Sequence, residues 1–365
     1  MKKINIGIIG CGNISSIYME NIPRFKHLTL QACADLDMDK ARSQAERFNI
    51  PKVYTVDQMF EDDEIDLIIN LTIPEAHAEI CLRALEANKH VYVEKPLAVS
   101  LEEGTQILQK AKEKNLLVGS APDTFLGAGI QTAIRLIEDG EIGTPIGASA
   151  FMIGRGHEHW HPNPAFYYKK GGGPMFDMGP YYLTALIAIL GPIKRLSGLT
   201  RITYPERTIL SEPFAGTKVK VETPTHITGI IDFASGAVGT ITTSFDAFGG
   251  SSLPPIEIYG SEGTLILPDP NTFGGTVKIR KKDTFHFTEI PAPQDFSGNM
   301  RGLGVADMAY AILNQEKHRA NGELAYHVLE SILGFHTSST SGTFYEMTST
   351  YEKTERFEPS VLPFE

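Results

Sequence analysis

The chain opens on an almost unbroken apolar run, Ile4-Asn5-Ile6-Gly7-Ile8-Ile9, which stops at Gly10-Cys11-Gly12. A short apolar run bounded by turn residues reads as a strand buried on both faces. The pattern recurs at 28–34, 65–71, 90–93 and 116–119. Between these runs, apolar positions fall at helical spacing. Residues 75–88 do so through Ala76, Ile80, Leu82, Leu85 and Ala87, and residues 101–114 do so again. Ser100 reads as the N-cap of the latter helix, and Asp37 and Asp39 as caps of the helix that follows the second run. Strands alternating with helices predict right-handed crossovers and a parallel sheet.

Beyond about residue 130 the pattern changes. A helix is predicted over 130–138, then a Gly/Pro turn over 140–145. Strand-like runs follow at 146–153, 194–202, 225–233, 237–245, 256–259, 264–267 and 277–281, with Gly-rich turns between several of them. No crossover helices separate these runs, which predicts a mostly antiparallel sheet. Helices return at 302–314 and 323–338. The tail, 352–365, is polar and contains proline, and is expected to be loosely held. A sheet covered by helices on one face leaves the other open, so a homodimer or homotetramer through that face is expected.

A length of 365 residues suggests two domains. The net charge of −11 argues against a nucleic-acid or anionic-membrane surface. Cys11, Cys33 and Cys81 form no C-x-x-C pair and read as reduced, buried thiols, which fits a cytoplasmic protein; no metal site is expected. No signal segment or long apolar span is visible, so membrane insertion is not expected.

The order strand, Gly-x-Gly turn, helix, strand, acid is how a dinucleotide-binding fold seats a pyrophosphate and then a ribose. Gly10 permits the tight turn, and Gly12 lets the backbone approach phosphate. Asn13 and Ile14 open the helix whose N-terminus faces the anion. Ser15 stands where a third glycine is usual, and it is small enough for close packing. Asp35 follows Gly12 by 35 − 12 = 23 positions and suits a ribose 2′-hydroxyl. No Arg follows it at once, which favours NAD over NADP. Thr72, Pro74 and His77 lie between a strand and a helix where a cofactor would pass; His77 reads equally as a satisfied helix-start histidine. Glu94-Lys95-Pro96 ends a strand, at the edge where open α/β sheets bind ligands.

These segments resemble the Gfo/Idh/MocA oxidoreductases: the Gly-x-Gly start, Thr72-Ile73-Pro74 with His77, His90 through Pro96, and Gly171 through Tyr181. The resemblance spans nearly the whole chain. It implies an α/β Rossmann domain, drawn here as 1–122, and an α+β domain with a large, mostly antiparallel open-faced sheet, 123–365. It implies hydride transfer between a nicotinamide and a sugar, cyclitol or similar polyol. Lys95 matches the family's catalytic lysine, and Asp177 the acid that orients substrate. Four positions on, many members carry a histidine, and this chain has Tyr181. That resembles the glucose–fructose oxidoreductase and dihydrodiol dehydrogenase branch. Spacing of four would put Asp177 and Tyr181 on one helix face, with Lys95 and Tyr181 managing the proton. Tyr181 as a packed ring is the alternative.

His157, His159 and His161 alternate, and on a strand they would share a face. The favoured role for 157–168, with Trp160 and His161, is a substrate loop rather than a metal site. At Asp123, where many members carry an Asn or Arg nearby, the expected role is an acid facing substrate hydroxyls; a domain-linking turn is the alternative. Two other functions share these residues: NAD-dependent glycosidic cleavage through transient oxidation, and non-catalytic nucleotide sensing.

Overall fold

The computed structural model describes residues 2–358 and 362–364. The chain forms two compact units: Met1–Gly127 with Gln294–Leu329 and Thr354–Glu365, and Ala128–Pro293 with Glu330–Lys353.

The first unit begins with β1 (Ile4–Ile9), α1 (Ser15–Asn21), β2 (Leu28–Ala34), α2 (Met38–Phe48), β3 (Lys52–Tyr54) and α3 (Val56–Glu61). It continues with β4 (Leu67–Asn70), α4 (His77–Glu86), β5 (His90–Val93), α5 (Leu101–Lys114) and β6 (Val118–Ser120). Every strand pair is parallel, in the order β3-β2-β1-β4-β5-β6. Chain direction across the sheet reverses between β1 and β4, and the carboxyl ends at that point form the crevice where such sheets take ligands. Ile6, Ile8, Cys33, Ile68, Ile69 and Val91 are fully buried, as strands covered on both faces require. Two of the predicted caps form: Asp37 accepts from the Asp39 and Lys40 N–H groups, and Ser100 from that of Glu103, while Asp39 lies within the first turn of α2 and caps nothing.

The chain then forms α6 (Ala128–Glu138), β7 (Pro145–Ile153), α7 (Pro174–Asp177), α8 (Gly179–Leu190), β8 (Ile193–Arg201), β9 (Glu206–Thr208) and β10 (Lys218–Lys220). After these come β11 (His226–Phe233), β12 (Val238–Ser244), β13 (Ile256–Gly260), β14 (Gly263–Leu267), β15 (Val277–Lys281), β16 (Thr288–Ile290), α9 (Leu303–Asn314), α10 (Gly322–Ser341) and β17 (Tyr345–Glu346). Nine strands make one sheet, β16-β15-β14-β13-β7-β12-β11-β8-β17. Among the described residues only β7 and β12 run parallel in it. β9 and β10 pair apart, as a small ribbon too short to leave a period in the sequence.

One packing detail fixes how α10 meets this sheet. Gly198 and Gly229 sit directly opposite each other on β8 and β11. A Cβ on Gly229 would lie 2.4 Å from the Phe335 ring, and one on Gly198 2.8 Å from it. The paired glycines form a slot, and Phe335 fills it with no exposed surface.

The boundary drawn after residue 122 assigned all later segments to the second domain, but 294–329 and 354–365 cluster with the first unit. The reason is an unfinished edge. β6 is the last parallel strand, and Ala320 O accepts the Ser120 N–H (3.0 Å) while His318 Nε2 lies 3.1 Å from Val118 O. The described part of the tail is packed against the first unit. Lys26 N–H donates to Pro363 O (2.9 Å), and the Phe364 ring lies 5.1 Å from Phe25 and 5.0 Å from Phe296. Buried aromatics, Phe357 among them, outweigh its polar composition. Residues 359–361 and 365 of that expected tail lie outside the described residues. Among the described residues no helix is long and apolar enough to cross a membrane.

Candidate active site

In the first unit the site grows from the turn after β1. Gly10 has φ +101°, and a Cβ there would meet the Leu71 carbonyl at 2.6 Å. Gly12 faces open space, with no heavy atom within 4 Å of where a Cβ would stand. Cys11 N–H donates to Asp35 Oδ2 (2.7 Å), and Asp37 N–H to Asp35 Oδ1 (2.8 Å). The acid is thereby fixed beside the turn, with lone pairs left for a ribose. Ser15 is buried, and its Oγ–H donates to Gly12 O (2.7 Å). The start of α1, after Asn13 and Ile14, carries no side-chain cap. An open-sided glycine, an uncapped helix start and a fixed acid fit a dinucleotide.

The ends of β4 and β5 are tied together. Asn70 Oδ1 accepts from Thr72 N–H (3.2 Å) and Thr72 Oγ1–H (2.7 Å), and Asn70 Nδ2 donates to His77 O (3.1 Å). The His77 ring is buried, with Nδ1 2.7 Å from Pro96 O and Nε2 3.1 Å from Thr72 O. Burial holds its pKa below the usual histidine value. A neutral ring has one N–H, and the shorter contact places it on Pro96. His77 thus spans the loops on either side of Pro74 and Lys95. Glu94 Oε1 accepts from the buried Tyr18 hydroxyl (2.9 Å), and its Oε2 from Lys95 N–H (3.0 Å). Both carboxylate oxygens therefore brace the peptide that carries Lys95.

Asp123 departs from its expected role. It is buried, and its Oδ2 accepts from Gly302 N–H (2.9 Å) and Gly304 N–H (3.0 Å). A carboxylate engaged by two backbone donors at the start of α9 is a pin within the first unit, not an acid facing substrate hydroxyls. Burial raises its pKa to about 6.

In the second unit Asp177 ends α7 and Tyr181 lies in the first turn of α8. They do not share one helix, because the chain breaks at Met178, with φ −107°. The two residues thus stand on consecutive helices joined through Met178, rather than on one helix. The loop 154–168 is not a strand either; 157–160 form a turn. Alternation there carries no common face. Instead His157 turns in, and its Nε2 lies 2.9 Å from Asp177 Oδ2. Its ring packs against Tyr167 (4.1 Å between centroids), Phe245 (4.7 Å) and Trp160 (5.3 Å). Trp160 is exposed and stands edge-on to His161. Burial and the neighbouring His157 lower the His161 pKa. Among the described residues no group of three or more His, Cys, Asp or Glu could hold a metal ion.

The loop is held by a buried charge network. Arg207 Nε donates to Glu158 Oε1, and Arg207 Nη1 to Asp246 Oδ1 (2.8 Å). Its Nη2 donates to the carbonyls of Arg155 (2.8 Å) and Phe245 (2.9 Å). Glu158 also accepts from the Tyr168 hydroxyl, whose pKa burial and that carboxylate push up. Asp246 accepts from Thr225 (2.7 Å). Sequence reasoning missed Arg207, Asp246 and the His157–Asp177 pair. The partners lie 49, 39 and 20 positions apart, and no local spacing announces them.

A six-stranded parallel sheet with a dinucleotide turn, followed by a large mixed sheet, defines a nicotinamide-dependent oxidoreductase. The sequence model of the oxidoreductase family with an NAD-binding Rossmann fold matches residues 4–121, and that of the GFO/IDH/MocA C-terminal domain matches 130–266. The chain belongs to the Gfo/Idh/MocA oxidoreductase family. It is 24% identical to myo-inositol 2-dehydrogenase of Thermotoga maritima, over 72% of this chain and 74% of that protein. It is 27% identical to scyllo-inositol 2-dehydrogenase (NAD(+)) of Bacillus subtilis, over 73% and 74%. Among solved structures, the apo form of levoglucosan dehydrogenase aligns with a TM-score of 0.83 at 20% identity, covering 96% of this chain and all of that one. The fold expected from the sequence, its enzyme class and its nicotinamide cofactor are thereby established.

Proposed function

We propose that the protein is an NAD-dependent dehydrogenase acting on a secondary alcohol of a sugar, cyclitol or related polyol, or on the matching ketone. The observation that carries this is Asp35, fixed beside an open Gly12 turn, in a chain whose relatives are named for inositol, levoglucosan and D-xylose oxidation. Bound NAD would supply the hydride acceptor. Gly10, Gly12, Asn13, Ile14 and Asp35 would hold its pyrophosphate and ribose, and Thr72, Pro74, His77 and Glu94 would shape the loops beside it. A carboxylate at position 35 disfavours a 2′-phosphate, so NAD is preferred to NADP.

Lys95 and Tyr181 are proposed to hydrogen-bond the reacting oxygen, where an ammonium and a phenol stabilise a developing alkoxide. Asp177 orients, and Trp160 and His161 offer an aromatic face and a polar edge to a hydroxylated ring. The first unit would hold the cofactor and the second the substrate.

The test mixes purified protein and NAD with cyclitols and pyranoses and follows absorbance of reduced nicotinamide. Turnover that falls at least ~100-fold in Lys95→Ala while NADH still binds is expected. Silence across the panel, with no nicotinamide binding by fluorescence, would count decisively against the reading.

The open face of the nine-stranded sheet exposes Leu199, Ile230 and Val238 opposite the Phe335 side. We propose that it buries them against a second copy. Light scattering on the protein and on Ile230→Asp checks this, with a monomeric wild type as the negative result. Three free, buried thiols support a cytoplasmic location.

A further inference from the structure

Asp177 was expected to address substrate directly, yet the structure gives it a histidine. The His157 and Asp177 side chains are 13% and 14% exposed, so their 2.9 Å contact lies in a largely dry setting. A carboxylate can only accept, so it fixes the ring proton on Nε2. Nδ1 is then the basic atom, and among the described residues it has no hydrogen-bond partner. The ring is clamped by Tyr167, Phe245 and Trp160. The backbone on both sides is immobilised. Arg155 O accepts from the buried Arg207, and Glu158 O accepts from Leu210 N–H (2.9 Å) and Ser211 N–H (3.0 Å). A carboxylate that orients an imidazole, whose other nitrogen is left open, is the arrangement of a general base.

We infer that His157, oriented by Asp177, is the base that takes the substrate hydroxyl proton, in the place of the histidine whose usual position is filled by Tyr181. This rests on the dehydrogenase reading above. In oxidation the C–H bond would break, its electron pair leaving as hydride for the NAD that Gly10, Gly12 and Asp35 would hold. The O–H bond breaks, its electrons form the C=O bond, and the proton passes to His157 Nδ1. The resulting imidazolium keeps its Nε2–H on the Asp177 carboxylate and later returns the proton to water. Lys95 and Tyr181 remain hydrogen-bond donors to the oxygen.

Two measurements test it. The first is the pH dependence of kcat/KM for the best substrate among myo-inositol, scyllo-inositol, levoglucosan and D-xylose. The wild type and Tyr181→Phe should both lose rate as pH falls. His157→Gln should drop kcat ~100-fold or more and lose that acid limb, with NADH affinity and melting temperature unchanged. A His157→Gln enzyme within about threefold of wild-type kcat, with the limb intact, overturns the inference and leaves the dehydrogenase reading standing. The second is two-bond proton–nitrogen NMR on protein labelled with ¹⁵N-histidine, which needs no substrate. His157 should show a protonated Nε2 and a bare Nδ1 and should lose that preference in Asp177→Leu; a protonated Nδ1 overturns the inference. A wild type that binds no NADH and oxidises nothing overturns the function itself.

Discussion

The turn at 10–12 and the loop at 154–168 both hold polar groups still at the end of a sheet, and they do it by different means. In the turn, backbone does the work. Gly10 adopts a conformation closed to other residues, and the Cys11 and Asp37 N–H groups grip Asp35. In the loop, side chains do it. A buried guanidinium joins two carboxylates and two carbonyls from separate parts of the second unit. Backbone-built geometry tolerates side-chain change so long as the glycines stay. Side-chain-built geometry depends on every charge being matched, because a buried ion without a partner is costly.

The sharpest way to break that contrast is Arg207→Met. It leaves Glu158 and Asp246 buried without their cation and should cost about 3–5 kcal/mol in denaturant unfolding. A loss below ~1 kcal/mol would mean the loop is held some other way. Next is the glycine pair. Gly10→Ala should lose about 1–3 kcal/mol from the positive φ and the Leu71 carbonyl. Gly12→Ala should stay within ~0.5 kcal/mol of wild type in thermal melts, since its methyl meets nothing. It should nonetheless weaken NADH binding about tenfold or more by calorimetry, a change of ~1.4 kcal/mol. Equal stability losses at both positions would erase the distinction.

Asp123 sharpens the comparison from another side, because a side chain pins backbone inside the first unit. Its pKa rises from 3.8 to about 6 on folding. Between those values the folded chain holds the proton more tightly than the unfolded one. Its contribution is therefore complete below about pH 4 and is lost as pH climbs through about 6. Asp123→Asn keeps an acceptor for Gly302 and Gly304 and should flatten that slope, by up to ~2 kcal/mol, in melts run from pH 4 to 7. An unchanged slope would show that the group does not titrate there. The smallest effect is expected at Asp35→Ala, with NAD affinity down about tenfold and NADP affinity nearly unchanged.

The same contrast explains what could be read from residues alone. Five strands of the first unit, the caps at Asp37 and Ser100 and the Gly10-x-Gly12 turn are local, and local patterns name them; β3, three half-buried residues, left no apolar run to read. α5 was legible to its ends because Ser100 and Asn115 mark both. The helix break at Met178 was not legible, since Pro180 only hinted at a new helix start. The strand-like alternation of His157, His159 and His161 misled, because tertiary charge pairing at Glu158 turned the chain instead. Asp123 looked like a site residue because the family resemblance places polar residues near it, and only the arrival of α9, about 180 residues later, shows what it holds. The aromatic residues of the tail were visible, but their partners Phe25 and Phe296, distant in sequence, were not.

The covering of β6 has a consequence for biosynthesis. The parallel sheet is made before residues 318–321, yet these are needed to cover the edge of β6. The nascent dinucleotide unit must wait, with β6 uncovered, while more than 160 intervening residues are made and folded. A stop placed before residue 318 would therefore leave bare the edge of a sheet translated some 200 residues earlier.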